Sequence, residues 1–234
     1  MILAFAFALW DSIWSVFIES IVNDVAITGI ISSLLAISGV VFLVFSNGII
    51  EKFPETKIWI WTTLLSAIGT LAFFYTVNLW LIVFLSLILM LAGVLRRQAH
   101  GILVRDLTKA SDVGKAEGLQ FALANVGWMT GPLIAGLIAG FFGLGAVFVF
   151  VSFAFLLAYV FFKKARIKDK NRFTEDDGTV KSAIKNLKKY FSDSERAKNY
   201  FLRGGIQLYW SILFLFIPIF IVKQGLPLYW FGIF

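Results

Sequence analysis

The chain has 234 residues, of which 59% are hydrophobic, 17% aromatic and only 15% charged, with a mean hydropathy of +0.86. A soluble domain is nearer half apolar and a quarter charged, so the composition excludes an ordinary soluble fold and calls for a polytopic membrane protein. Cysteine is absent, which rules out disulfides and cysteine metal sites, and the net charge of +7 must serve either nucleic acid or a membrane surface.

A bilayer core of about 30 Å is crossed by about 20 mostly apolar helical residues. On that criterion an all-α transmembrane bundle is expected, with spans at 2–22, 26–50, 58–77, 79–99, 119–142, 144–162 and 200–222. Nothing basic precedes the first span, and it is long enough to cross, so no secretory signal is read. That span holds the two acids lying well inside a predicted helix, Asp11 and Glu19. Charge at such a depth costs roughly 2.5–3.5 kcal/mol on insertion scales, which makes intramembrane acids candidates for function. Asp11, Ser15, Glu19 and Asn23 recur every four residues and form one polar stripe that could face a central cavity. Trp10 and Trp14 flank it and could stack on an apolar or cationic substrate. Asp11, near mid-helix, is the first candidate for a substrate or proton pathway, since a carboxyl group in a low-dielectric cavity suits proton exchange near neutral pH. Glu19 sits nearer the helix end, where reaching the interface is the alternative reading.

The connections fix an orientation. Lys52 and Lys57 lie between spans two and three, and Arg105, Lys109 and Lys115 between four and five, just after Arg96 and Arg97. Twelve basic residues follow from Lys163 to Lys198, whereas the other three connections carry none. The positive-inside rule then puts the N-terminus and the 163–199 loop in the cytoplasm, with the plasma membrane as the expected location. It also accounts for most of the charge without nucleic acid. Arg96 and Arg97 read as topology anchors, and His100, the only histidine, as an interfacial residue.

The fifth span is unusually rich in glycine: Gly127 and Gly131 stand four apart, as do Gly136 and Gly140. Such spacing opens a groove into which another helix can pack closely. Pro132 removes an amide donor and crowds the carbonyl of Trp128, so a bend is expected there. Beyond the sixth span, residues 163–178 read as flexible. Val180, Ala183, Ile184, Leu187, Tyr190 and Phe191 then fall at helical spacing opposite lysines, as in a helix lying along the membrane surface. Ser192 and Glu195 form a capping-box pattern before span seven. Gln207, Tyr209 and Trp210 on that span could line the opposite wall of the cavity. The apolar run 226–234 reads as the beginning of an eighth helix, and hence the chain as part of a longer protein. Three units are expected: a six-helix bundle at 1–162, a cytoplasmic linker at 163–199, and the start of a second bundle at 200–234. A weak repeat agrees with this, since Val16-Phe17-Ile18 and Gly29-Ile30 are echoed 203 positions later by Ile219-Phe220-Ile221 and Gly232-Ile233.

Gly118, Gly127, Gly131-Pro132 and Ala135-Gly136 together resemble the fifth-helix signature of major facilitator superfamily transporters, especially their drug/proton antiporter groups. Alanine at Ala135 is the single departure, between small residues. A second signature of the superfamily, in the loop between helices two and three, is similar to Gly48 through Lys57 in degraded form, with Glu51-Lys52 as its acidic-basic pair. There Gly48 is one residue late and Pro54 replaces a glycine. A fourth-helix arginine pattern is matched only in part, by Arg97, His100 and Gly101.

The resemblance implies an N-terminal half-carrier plus the beginning of its second half, working by alternating access. It further implies that the helix-five residues pack and gate, and that Gly48, Glu51 and Lys52 form a cytoplasmic gate in which the acid meets a helix N-terminus across the bundle. The function expected is proton-coupled efflux of a small organic molecule, with an importer or facilitated carrier of a metabolite as the alternative. The partners expected are that small molecule, protons and the lipid bilayer. No cofactor or metal is called for, and no phosphate-binding glycine loop supports ATP-driven transport. A non-transporting scaffold or intramembrane enzyme is the rival class, and the spans lack the convergent groups an enzyme would need.

Overall fold

The structure is a computed structural model, and it describes residues 1–169 and 189–232. Its long helices are α1 (Ile2–Val22), α2 (Val25–Phe45), α3 (Glu55–Ala72), α4 (Leu79–Leu107), α5 (Val113–Phe142), α6 (Leu144–Lys164) and α7 (Ser194–Lys223). A one-turn helix, Asn47–Ile50, follows α2, and a 3-10 segment, Leu228–Gly232, follows α7. The described residues contain no strand.

Each boundary has a local cause. Asn23 closes α1 in the left-handed conformation (φ 55°), and Asp24 then caps α2, its Oδ1 accepting from the amides of Ala26 (2.7 Å) and Ile27 (3.0 Å). Asn78 caps α4 through the Leu81 amide at 3.1 Å. With no breaker before Thr108, α4 runs two turns beyond the apolar stretch that suggested it. Helix α7 is capped by Asp193 rather than Ser192: Asp193 Oδ1 accepts from the amides of Glu195 and Arg196, whereas the Ser192 hydroxyl donates back to the Lys189 carbonyl. Most of the expected surface helix at 180–191 lies outside the described residues. The run 226–234, read as a nascent eighth helix, takes 3-10 turns over Leu228–Gly232 instead of α-helix.

Six of these helices are long and apolar enough to cross a membrane; α3 is not among them. Helix α3 starts three residues earlier and ends five earlier than expected, and it carries Thr62, Thr63, Ser66 and Thr70, all buried. Their hydroxyls donate to carbonyls one turn back, at 2.7 Å (Thr62, Thr63) and 2.8 Å (Ser66, Thr70). The polar atoms are thus satisfied inside the bundle, as a low-dielectric setting demands. Hydroxyls that lower hydropathy face protein here, packed against α4 and α6, and Ser152 of α6 donates to Ala67 O at 2.7 Å.

Helix α1 is the hub, in contact with α2, α4, α5, α6 and α7. Its buried side chains Leu9, Ile13, Val16 and Phe17 form the main core with Phe73, Ile82, Phe148, Val151 and Phe155. A smaller core of Ile58, Trp59, Ala99, Leu103 and Ala158 lies toward the basic ends of α3, α4 and α6.

Candidate functional site

Two members of the polar stripe of α1 meet α7. The Ser15 hydroxyl lies 3.4 Å from the Phe214 carbonyl, and one turn on, Glu19 Oε1 pairs with Lys223 Nζ at 3.0 Å. Glu19 is therefore an ion-pair partner, and its side chain is only 16% exposed. Asp11, one turn in the other direction, is half-buried and makes no hydrogen bond or close ion pair among the described residues. The Arg97 charge, on the exposed face of α4, acts on it from a distance. Asp11 lies one turn from Ser15, where α1 meets α7.

Trp10 and Trp14, expected to offer faces to a substrate, are engaged with each other and with the core. They stack on each other (5.2 Å between centroids, 10° between planes), and both meet the edge of Phe73. Their apolar area stiffens α1 around Asp11. Gln207 lies on the exposed part of α7, two turns before Phe214, and is not brought to Asp11 by any contact among the described residues. Helix α7 touches the rest through its second half: Phe214 meets Trp128 edge to face at 5.3 Å, and Phe216 lies against Gly29.

The helix-five residues divide into two uses. A Cβ at Gly127 would come 2.7 Å from the backbone nitrogen of Phe5, and one at Gly131 would overlap the Ala8 methyl, so this pair lets α1 approach backbone to backbone. A Cβ at Gly136 would strike the backbone of Leu228 and Tyr229, so this glycine admits the segment after α7. Pro132 and Ala135 are buried in the same seam, and α5 continues through the proline unbroken. Gly118, by contrast, meets nothing within 4 Å.

In the 2–3 connection, Gly48 lies in the one-turn helix, and Glu51 and Lys52 are exposed without an ion pair among the described residues. The ordered contact nearby comes from a residue that sequence reasoning passed over. Asp169 caps α3, accepting from the Thr56 amide at 2.8 Å and from its hydroxyl. The first residues of the linker are thus pinned, not flexible as expected.

Two arginines adjacent in sequence separate in space. Arg96 is no topology anchor: it is 3% exposed, and Nη1 donates to Thr62 O (3.1 Å) and Ser66 Oγ (2.6 Å). Its guanidinium lies 5.1 Å from the ring of Phe7 and 4.9 Å from that of Phe155, a desolvated cation–π sandwich joining α1, α3, α4 and α6. Phe7 is one turn before Asp11, so Arg96 holds the helix that carries the acid. His100 Nε2 lies 3.1 Å from Gln120 Oε1, linking α4 to α5.

Among known proteins, the family model described as Major Facilitator Superfamily matches residues 1–234. Solved structures with a similar fold include an in meso crystal structure of the POT family transporter PepTSo (TM-score 0.56, 16% identity, 75% of this chain and 37% of that one). Another is a crystal structure of the peptide transporter POT, E310Q mutant, in complex with alafosfalin (TM-score 0.52, 17% identity, 94% and 48%). The chain spans less than half the length of either. No match was found among curated proteins.

Proposed function

The chain belongs to the Major Facilitator Superfamily, and from that premise we propose that it is the first half and the beginning of the second half of a proton-coupled exporter of small organic molecules. It is an integral multi-pass membrane protein with six helices among the described residues apolar enough to cross a bilayer. The observation that carries the coupling is the state of Asp11: a carboxyl group inside a membrane-spanning helix, half-buried, with no hydrogen bond or close ion pair among the described residues. An intramembrane acid with no hydrogen bond or close ion pair is costly to retain and is a candidate for a place on a pathway. Its seat beside the α1–α7 junction suits alternating access, in which the two halves rock about a site between them.

In this reading, a proton on Asp11 and a substrate bound between the halves occupy the carrier in alternation. Glu19–Lys223 and the Gly136 seam with 228–232 hold one face closed, while Glu51 and Lys52 await partners on the cytoplasmic face. Arg96 and the two tryptophans keep α1 rigid through the cycle. The test uses proteoliposomes loaded with ethidium as a cationic probe. An imposed pH gradient should drive ethidium movement that stops when an uncoupler collapses the gradient. Movement that continues unchanged after collapse would refute antiport and leave the fold intact.

A further inference from the structure

The basic end of α6 carries a feature that the transport cycle leaves unused. A groove of about 390 Å³ is lined by Tyr159, Val160, Lys163, Lys164 and Arg166. Lys163 Nζ lies 3.1 Å from the Tyr159 hydroxyl and 5.5 Å from the centre of its ring, so it is folded onto the wall of the groove. Among the described residues none of the three cations has an acidic partner.

Basic residues that only set topology need to lie on the right side of the bilayer and require no fixed backbone. Arg166 has one. It sits at φ 49°, in the left-handed region that residues with a Cβ avoid. The residues that follow hold it there. Ile167 packs against the smaller core beside Ile58 and Trp59, and Asp169 caps α3 through Thr56. An unfavourable backbone state that the surroundings enforce is a reason to ask what the side chain is being aimed at.

The apolar side of the groove narrows the answer. Val149, Phe153, Leu156 and Val160 are spaced four, three and four apart, so they share one face of α6, and all are exposed. This face leads from the interior of the span to the groove. A soluble phosphate would gain nothing from it, whereas an acyl chain would lie along it with its headgroup among the cations. We propose that the groove is a binding site for an anionic phospholipid of the leaflet at the basic end, with its phosphate among Lys163, Lys164 and Arg166.

The experiment is native mass spectrometry of the purified protein, offered phosphatidylglycerol and phosphatidylcholine in equal amounts. The wild type should retain phosphatidylglycerol preferentially. Arg166→Gly, which suits the left-handed backbone while removing the guanidinium, should lose about fivefold in that retention, the effect of one basic residue at an anionic surface. Lys109→Gln, which removes an exposed cation elsewhere at the same end, should leave it unchanged. Equal retention of the two lipids would overturn the proposal, as would equal losses in the Arg166 and Lys109 variants, which would reduce the effect to general surface charge. Tight retention of inorganic phosphate that phosphatidylglycerol fails to displace would also overturn it. If Arg166→Gly fails to fold, Lys164→Gln at an ordinary helical position should show the same loss, and its absence there counts against the site.

Discussion

Replacing Gly131 by alanine tests the α1–α5 seam with a single methyl group. The new Cβ would overlap the Ala8 methyl and stand 3.2 Å from the Ala8 carbonyl carbon, inside the 3.4–4 Å of ordinary contact. One of the two helices must shift. Forcing a methyl into a packed seam costs about 1–3 kcal/mol. Alanine also gains about 1 kcal/mol over glycine in helix propensity, which would mask part of that cost. Gly118→Ala supplies the reference, because it makes the same exchange on the same helix with nothing within 4 Å. The difference between the two variants isolates the overlap at about 1–3 kcal/mol. The assay is reversible unfolding in mixed micelles of rising SDS fraction. Ala8→Gly removes the methyl that is struck, so Gly131→Ala, measured against Ala8→Gly alone to cancel the helix cost of the new glycine, should lose less than half of that difference. If Gly131→Ala proves as stable as Gly118→Ala, the close approach of α1 and α5 does not exist.

Two further contacts invite similar tests. Breaking the Glu19–Lys223 pair by Glu19→Gln should cost about 1 kcal/mol, at the upper end for a partly exposed pair because Glu19 is mostly sheltered. The exchanged pair Glu19→Lys with Lys223→Glu should restore most of it in a double-mutant cycle, and high salt should shrink the effect. The cysteine-free sequence allows a single introduced thiol near Asn23 to report, by labelling rate, whether that end opens when the pair is broken. Asp169→Ala should cost about 1 kcal/mol as a lost N-cap, and Asp169→Asn much less. Hydrogen exchange at the first amides of α3 reads this directly; unchanged protection there would remove Asp169 from its role.

Much of the fold was legible because a bilayer permits few solutions. Runs of apolar residues had to be helices, and of the period-four stripe expected to face a cavity, Ser15 and Glu19 meet α7 instead. The glycine spacing on α5 marked a true seam at Gly127, Gly131 and Gly136. What escaped had a common cause: hydropathy counts polar atoms without knowing where they point. Thr62, Ser66 and Thr70 lower the hydropathy of α3 although they are buried, and Arg96 resembled its neighbour Arg97 although only it is enclosed. The faint signal was register. Arg96 follows Ala92 and Leu89 on the buried face of α4 at helical spacing, whereas Arg97 falls outside that face. The Asp169 cap could not be found that way, since it joins residues 113 positions apart through the fold. Tryptophan stacking was equally hidden, because Phe73 and Phe148 arrive from other helices.

The proton coupling proposed for this carrier hangs on one carboxyl group, which Asp11→Asn removes. The substitution keeps size and hydrogen-bonding capacity and removes only the exchangeable proton. In proteoliposomes, ethidium transport driven by a pH gradient should fall to background in Asp11→Asn, while ethidium exchange without a gradient continues at close to the wild-type rate. Gradient-driven transport at the wild-type level in that variant would contradict the account.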